Sequence, residues 1–198
     1  MARKPAEQTV NREAILLAAA QVFHEKGYHR TKMEDIARAV DLTAGSLYHH
    51  FRNGKQEILI AVLTYGLDEI SRSIEAILDS PASYEEKFCQ AVRLHVTGIT
   101  NHVSVGAAMV FEIRTMLDIP EVRETYVLRR DRFEGMFRQL IHDGIQHGEF
   151  KALDAKLFVR MMLGSHNWVG VWYRSGGTLT GEAIADQMAA WFLAALKK

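Results

Sequence analysis

A single cysteine, Cys89, in a chain of 198 residues excludes an internal disulfide and a zinc site built on cysteine pairs. Alone, it reads as a small apolar residue of the core. Three prolines, Pro5, Pro81 and Pro120, leave long stretches without a helix breaker. No stretch approaches the ~20 consecutive apolar residues of a membrane span, and the start, MARKPAEQTVNREA, lacks the apolar run of a secretory leader. These absences predict a soluble, cytoplasmic protein with no membrane partner. Net charge is missing too, since 24 Lys and Arg balance 24 Asp and Glu, which by itself argues against a nucleic-acid binder. The balance hides a tilt, however. Residues 1–55 carry nine basic and six acidic side chains, and the remainder fifteen and eighteen, which suggests a basic head and a more acidic body.

Apolar side chains are plentiful, at 48% of residues. They recur at three- and four-residue spacing, without alternating β-branched runs, so the chain reads as all-α. NREAILLAAAQVFHEKGY begins behind an N-cap at Asn11, places Ile15, Ala18, Ala19, Val22 and Phe23 on one face, and stops at Gly27. In TKMEDIARAV, Thr31 and Glu34 have capping-box spacing and start a short second helix that runs to about Val40. DLTAGSLYHHF then offers a turn at Asp41 and Leu42, a cap at Thr43 and a third short helix. Two short helices across a tight turn form a helix-turn-helix.

The combination of Phe23, Gly27, Thr31, Ile36, Ala37, the run Gly45 to Phe51 (GSLYHHF) and Lys55 resembles the DNA-binding head of the tetracycline-repressor (TetR) family of bacterial transcriptional regulators. The resemblance covers residues 9–65. It implies a three-helix head whose third helix enters the major groove of double-stranded operator DNA, a fourth connecting helix, an all-α body and a homodimer. Asp41 stands where the family usually has glycine, tolerable because Asp adopts left-handed backbone more readily than most residues. Gly54 reads as a one-residue insertion before Lys55.

The chemistry of the segment fits that role. A helix tip entering a groove needs small side chains, and Ala44, Gly45 and Ser46 supply them while Thr43 offers a hydroxyl. Tyr48, His49, His50 and Lys55 lie further back, as candidates for phosphate oxygens flanking the groove. Lys32, at the start of the second helix, is another. Leu47 and Phe51 belong to the head's core. The DNA-binding domain is therefore placed at residues 9–55 and the ligand-binding and dimerisation domain at 56–198.

Beyond the head, NGKQEILIAVLTYGLDEISRSIEAIL reads as the connecting helix, Lys55–Leu78, with Ile58, Val62, Leu67, Ile70, Ile74 and Ile77 on its apolar face. Further helices fall near 84–102, 106–117, 121–147, 154–174 and 181–197, with breaks at Pro81, Gly148 and Gly176-Gly177. The last two carry Trp168, Trp172 and Trp191 among small residues, and the resemblance assigns them to a four-helix dimer interface. A body this large also suggests a sensor pocket. Met109, Phe111, Met116, Phe137, Met161, Met162, Trp168 and Trp172 are candidate lining residues, with the cavity bounded by Phe111, Met162, Trp168 and Trp172.

The segment HNWVGVWYRSGGTLTGEAIADQ resembles repressors of fatty-acid and steroid catabolism, whose effectors are acyl-CoA thioesters. That likeness makes an acyl-CoA the expected effector, with Arg174, Arg160 or the run Arg129, Arg130 and Arg132 near its phosphates. A drug-responsive repressor of an efflux system is the alternative within the same fold. An enzyme, on Cys89 with His95 or Glu112 with His142 and His147, and a protein-binding adaptor are alternatives of other classes. No spacing matches a metal motif or a phosphate-binding glycine loop, so no catalytic activity, metal or cofactor is expected.

Overall fold

The computed structural model describes residues 11–105, 117 and 120–198, and among them the chain is helical with no strand. It divides into two compact units, the first through Val62 and the second from Leu63. The sequence ends the head at residue 55. The compact unit is longer because Ile58, Leu59 and Val62, in the first turns of the next helix, are buried.

In the first unit, α1 (Arg12–Lys26) starts where the Asn11 side chain accepts the Glu13 N–H, and ends at Gly27, whose φ of 76° and ψ of 150° suit glycine alone. Ile15, Leu16, Ala19, Ala20, Val22 and Phe23 are buried. Helix α2 (Met33–Ala39) packs on α1, and α3 (Ala44–His50) packs on α2. The cap of α2 lies one residue later than the Thr31–Glu34 box expected from spacing. The Thr31 hydroxyl donates back to the Gly27 carbonyl at 2.9 Å, so Lys32 becomes the cap residue and its N–H donates to the Asp35 carboxylate at 3.0 Å. Asp41 takes the turn between α2 and α3 with φ of 54°, as the sequence requires of it. Leu47 and Phe51 are fully buried.

Helix α4 (Lys55–Leu78) runs from one unit into the other. The second unit continues with α5 (Tyr84–Asn101), α6 (Pro120–Gln146), α7 (Ala155–Trp172) and α8 (Gly181–Leu196). Each boundary has a local cause. Ser83 and Glu86 form a capping box for α5, Asp154 caps α7 by accepting the Leu157 N–H at 3.0 Å, and Thr180 caps α8 by accepting the Ala183 N–H at 3.1 Å. Pro120 opens α6, where its missing N–H costs no intrahelical bond. Helix α5 is central: it packs against α6, α7 and α8, most extensively against α8. Phe88 of α5, Phe137 of α6 and Phe150 are among the largest fully buried side chains, with Phe88 edge-to-face on Phe150 at 6.1 Å. Cys89 is half-buried rather than sealed in the core, and burial pushes its thiol pKa up. The helix expected at 106–117, with Met109, Phe111, Glu112 and Met116, lies outside the described residues.

Candidate functional site

The tip of α3 is built by one hydroxyl. Thr43 accepts the Ser46 N–H at 3.0 Å and its Oγ1 lies 2.9 Å from Ser46 Oγ, so the two side chains close the first turn between them. Thr43 and Gly45 are exposed, and Ala44 and Ser46 half-buried. The anchor holding this tip outward is Leu47 on the opposite side, sealed in the core. One turn on, Tyr48, His49 and His50 are exposed together. Gly54, at φ of 65°, lies under the Tyr48 ring, where an added Cβ would sit 3.5 Å from Cε1. Lys32 is exposed at the start of α2. This surface combines small side chains, hydroxyls, imidazoles and cations on one short helix and its surroundings, the inventory for close approach and phosphate contact.

Lys55 departs from the expected role. Its ammonium donates to the carbonyls of Tyr28 at 2.8 Å, His29 at 3.2 Å and Thr31 at 3.0 Å, and lies over the Tyr28 ring at 4.5 Å. All three donors are spent inside the head, so Lys55 fastens the start of α4 to the loop after α1 and offers no proton to a phosphate. The structure adds two exposed cations of the same unit, Arg38 and Arg52, neither of which sits in the run that carries the resemblance.

The expected effector cavity does not assemble from its named residues. Met162 is fully buried, whereas Trp168 and Trp172 expose 58% and 47% of their surface. They share α7 but not an environment. Phe111 lies outside the described residues. Arg174 donates to the carbonyls of Val171 at 3.2 Å and Tyr173 at 2.9 Å, closing the end of its own helix. Arg129 pairs with Asp68 at 3.0 Å and Arg132 with Glu75 at 2.6 Å, tying α6 to the second half of α4. Arg130 pairs with Asp131 at 2.8 Å and Arg160 with Glu134 at 3.4 Å.

What does occupy the interior of the second unit is a histidine pair. His95 on α5 and His166 on α7 meet through their Nδ1 atoms at 3.1 Å, both buried. Burial lowers the pKa of His95 to about 4, and burial followed by the neighbouring His95 holds His166 well below the ordinary range. His95 therefore has His166, not Cys89, as its partner. His166 had a signal in the sequence: Val159, Met162, His166 and Val169 recur at helical spacing on the buried side of α7. Its partner His95 shares that signal, in register with Phe88, Ala91, Val92 and Ile99 on the buried side of α5, but periodicity does not show that the two rings meet. Among the described residues no group of three or more His, Cys, Asp or Glu side chains is placed to hold a metal, and no helix is long and apolar enough to cross a membrane.

Comparison with known proteins places this architecture. Residues 15–62 match the family described as bacterial regulatory proteins, tetR family, and residues 81–196 match the tetracyclin repressor-like C-terminal domain. The HTH-type transcriptional repressor KstR2 of Mycobacterium tuberculosis is 30% identical over 201 residues, covering 100% of this chain and 98% of that protein. The structure of ketosteroid transcriptional regulator KstR2 of the same organism superposes with a TM-score of 0.84 at 27% identity, covering 99% of this chain and 100% of the other. AibR, in complex with isovaleryl coenzyme A and operator DNA, superposes with a TM-score of 0.77 at 26% identity, covering 91% and 96%. With both halves matched and the helix-turn-helix in place, the chain belongs to the tetR family of bacterial regulatory proteins, which are all-α, DNA-binding transcriptional regulators.

Proposed function

We propose that this protein is a cytoplasmic, homodimeric repressor that leaves its operator when an acyl-CoA thioester binds the second unit. The observation that carries the DNA half is the exposed tip of α3, where small residues and a capped first turn stand out from a sealed core at Leu47 and Phe51. Thr43, Ala44, Gly45 and Ser46 meet base edges, and Tyr48, His49, His50 and Lys32 meet phosphates. The thioester half draws on similarity to KstR2 and to AibR, whose complex holds isovaleryl coenzyme A and operator DNA.

The dimer reading rests on one exposed face. Leu157, Met161, Gly164, Trp168 and Trp172 follow one another along α7 at three- to four-residue spacing, all exposed, and Trp191 is exposed on α8. Met161 is 67% and Trp191 66% exposed, a load of large apolar surface that asks for a partner. A second copy of α7 and α8 is that partner. Release works through differential binding: the effector favours an arrangement of the second unit that moves α4, which Arg129 and Arg132 fasten to α6.

The test is titration of the protein on an operator selected from a random duplex pool, with short- and long-chain acyl-CoAs, free CoA and free fatty acids. Release by acyl-CoA alone is expected. Release by none, or equally by free fatty acid, discards the thioester and leaves a regulator with another effector.

A further inference from the structure

Among the described residues of the second unit, two buried side-chain nitrogens lack a hydrogen-bond partner: Arg138 Nε, which still faces the Glu134 carboxylate at 3.7 Å, and His166 Nε2, which faces no charge. His95 and His166 face each other Nδ1 to Nδ1, and between two neutral rings one Nδ1 donates and the other accepts. That contact leaves the Nε2 atoms. His166 Nε2 is buried and has no hydrogen-bond partner among the described residues. A histidine kept for packing alone would spend this nitrogen on a backbone carbonyl or a carboxylate, because a buried polar atom without a partner is costly and phenylalanine would fill the same space without that cost.

The surroundings state what kind of partner would fit. The Phe133 and Phe137 rings of α6 lie 5.0 and 6.3 Å from the His95 ring, and the Phe192 ring of α8 lies 5.6 Å from that of His166. Four helices of the unit thus converge on two imidazoles in an aromatic setting. We propose that His166 Nε2 is the hydrogen-bonding anchor for a ketone or thioester carbonyl oxygen on the apolar, uncharged part of a ligand, the part that inserts among Phe133, Phe137 and Phe192.

The charge of the ligand's polar group follows from the pair. Burial alone depresses the pKa of His95, burial followed by the neighbouring His95 depresses that of His166, and no carboxylate or guanidinium contributes to either. Both rings are neutral near pH 7, so the site has no cation with which to neutralise a buried carboxylate. A carbonyl needs only a donor. The proposed tautomer has His95 Nδ1–H donating to His166 Nδ1, so that the proton of His166 sits on Nε2 and is available to the carbonyl. A ketone or thioester carbonyl satisfies this geometry, and a free acid does not. The inference rests on the reading of the second unit as the effector-binding unit, and it gives that unit a residue and a ligand class.

The experiment is calorimetry together with imidazole 1H–15N NMR on the full-length protein. The probes are isovaleryl-CoA, octanoyl-CoA and a steroid 3-ketone; the controls are the thioether S-octyl-CoA, which lacks the carbonyl, and octanoate. At least one carbonyl probe should bind and shift the His166 Nε2 resonance. S-octyl-CoA, or the carbonyl probe on His166→Phe, should bind about tenfold or more weakly. Failure of every carbonyl probe to bind at millimolar concentration overturns the proposal. So does a probe that binds with Nε2 unmoved and with equal affinity for His166→Phe. The NMR readout on the unmodified protein stands even if the variant folds poorly. A probe that moves Nε2 without releasing the operator sinks the effector reading and leaves the site; one that releases the operator with Nε2 unmoved does the reverse.

Discussion

Lys55 shows how much a single side chain's direction decides. It stands at the first position of α4, where a helix N-terminus disfavours a cation, yet three carbonyls and the Tyr28 ring hold it there. Lys55→Met should therefore lower the stability of the first unit by about 1–3 kcal/mol through three abandoned acceptors. Operator affinity should fall only as far as the head unfolds. The discriminating measurement is the slope of log affinity against log salt: losing one phosphate contact in each head of a dimer would reduce its magnitude by about 1.8, whereas the structural role leaves it unchanged. The histidine pair makes a second prediction at this scale. His95 titrates at about 4 in the folded protein against an ordinary value of 6.5. Between those values the unfolded chain binds more protons than the folded one, so stability is complete above about pH 6.5 and is lost as pH falls toward 4. One shift of this size corresponds to about 3 kcal/mol. Urea unfolding from pH 7.5 to 4.5 should show that loss, and the double variant His95→Phe, His166→Phe should lose most of the slope; identical slopes would exclude the pair as its source.

At the scale of elements, α3 is seven residues long, too short to persist on propensity, so its cap and its anchors matter more than its composition. Thr43→Ala should cost about 1 kcal/mol and Thr43→Ser little, read as lost hydrogen-exchange protection along α3. Periodicity and the breaks at Pro81, Gly148 and Gly176-Gly177 make the helices legible in the sequence, and the observed caps agree with them. Asn11, Ser83, Asp154 and Thr180 each stand one residue before a helix, and α4 ends before the break at Pro81. Spacing alone places the α2 cap one residue early because Glu34 and Asp35 are adjacent, and only the turn that engages the Thr31 hydroxyl with Gly27 selects Asp35. Periodicity reveals which face of a helix is buried, but not what that face meets. It could not pair His95 with His166, 71 residues apart, aim Lys55 inward, or commit Arg129 and Arg132 to acidic groups on α4. The tryptophans of α7 are apolar in any reading, and whether they line a cavity or an outer face depends on the rotation of the whole helix.

For the whole molecule, the exposed face of α7 and α8 links oligomeric state to DNA affinity. Met161 and Trp191 are two of its most exposed large side chains, and a glutamate at each would place carboxylates in a desolvated interface and against their symmetry mates. Met161→Glu with Trp191→Glu should therefore yield a folded monomer by sedimentation, with helical content unchanged because neither side chain belongs to the core. Leu179→Glu is the control: Leu179 is 56% exposed but lies between α7 and α8 rather than on either, so this variant should remain dimeric. DNA binding then supplies a quantitative consequence. If each head neutralises about four phosphates, the dimer should show a log–log salt slope near −7 and the monomer about half of it. A monomeric variant that kept the full slope and affinity would mean that one chain makes all the contacts, and the exposed apolar face would need an occupant other than a second copy.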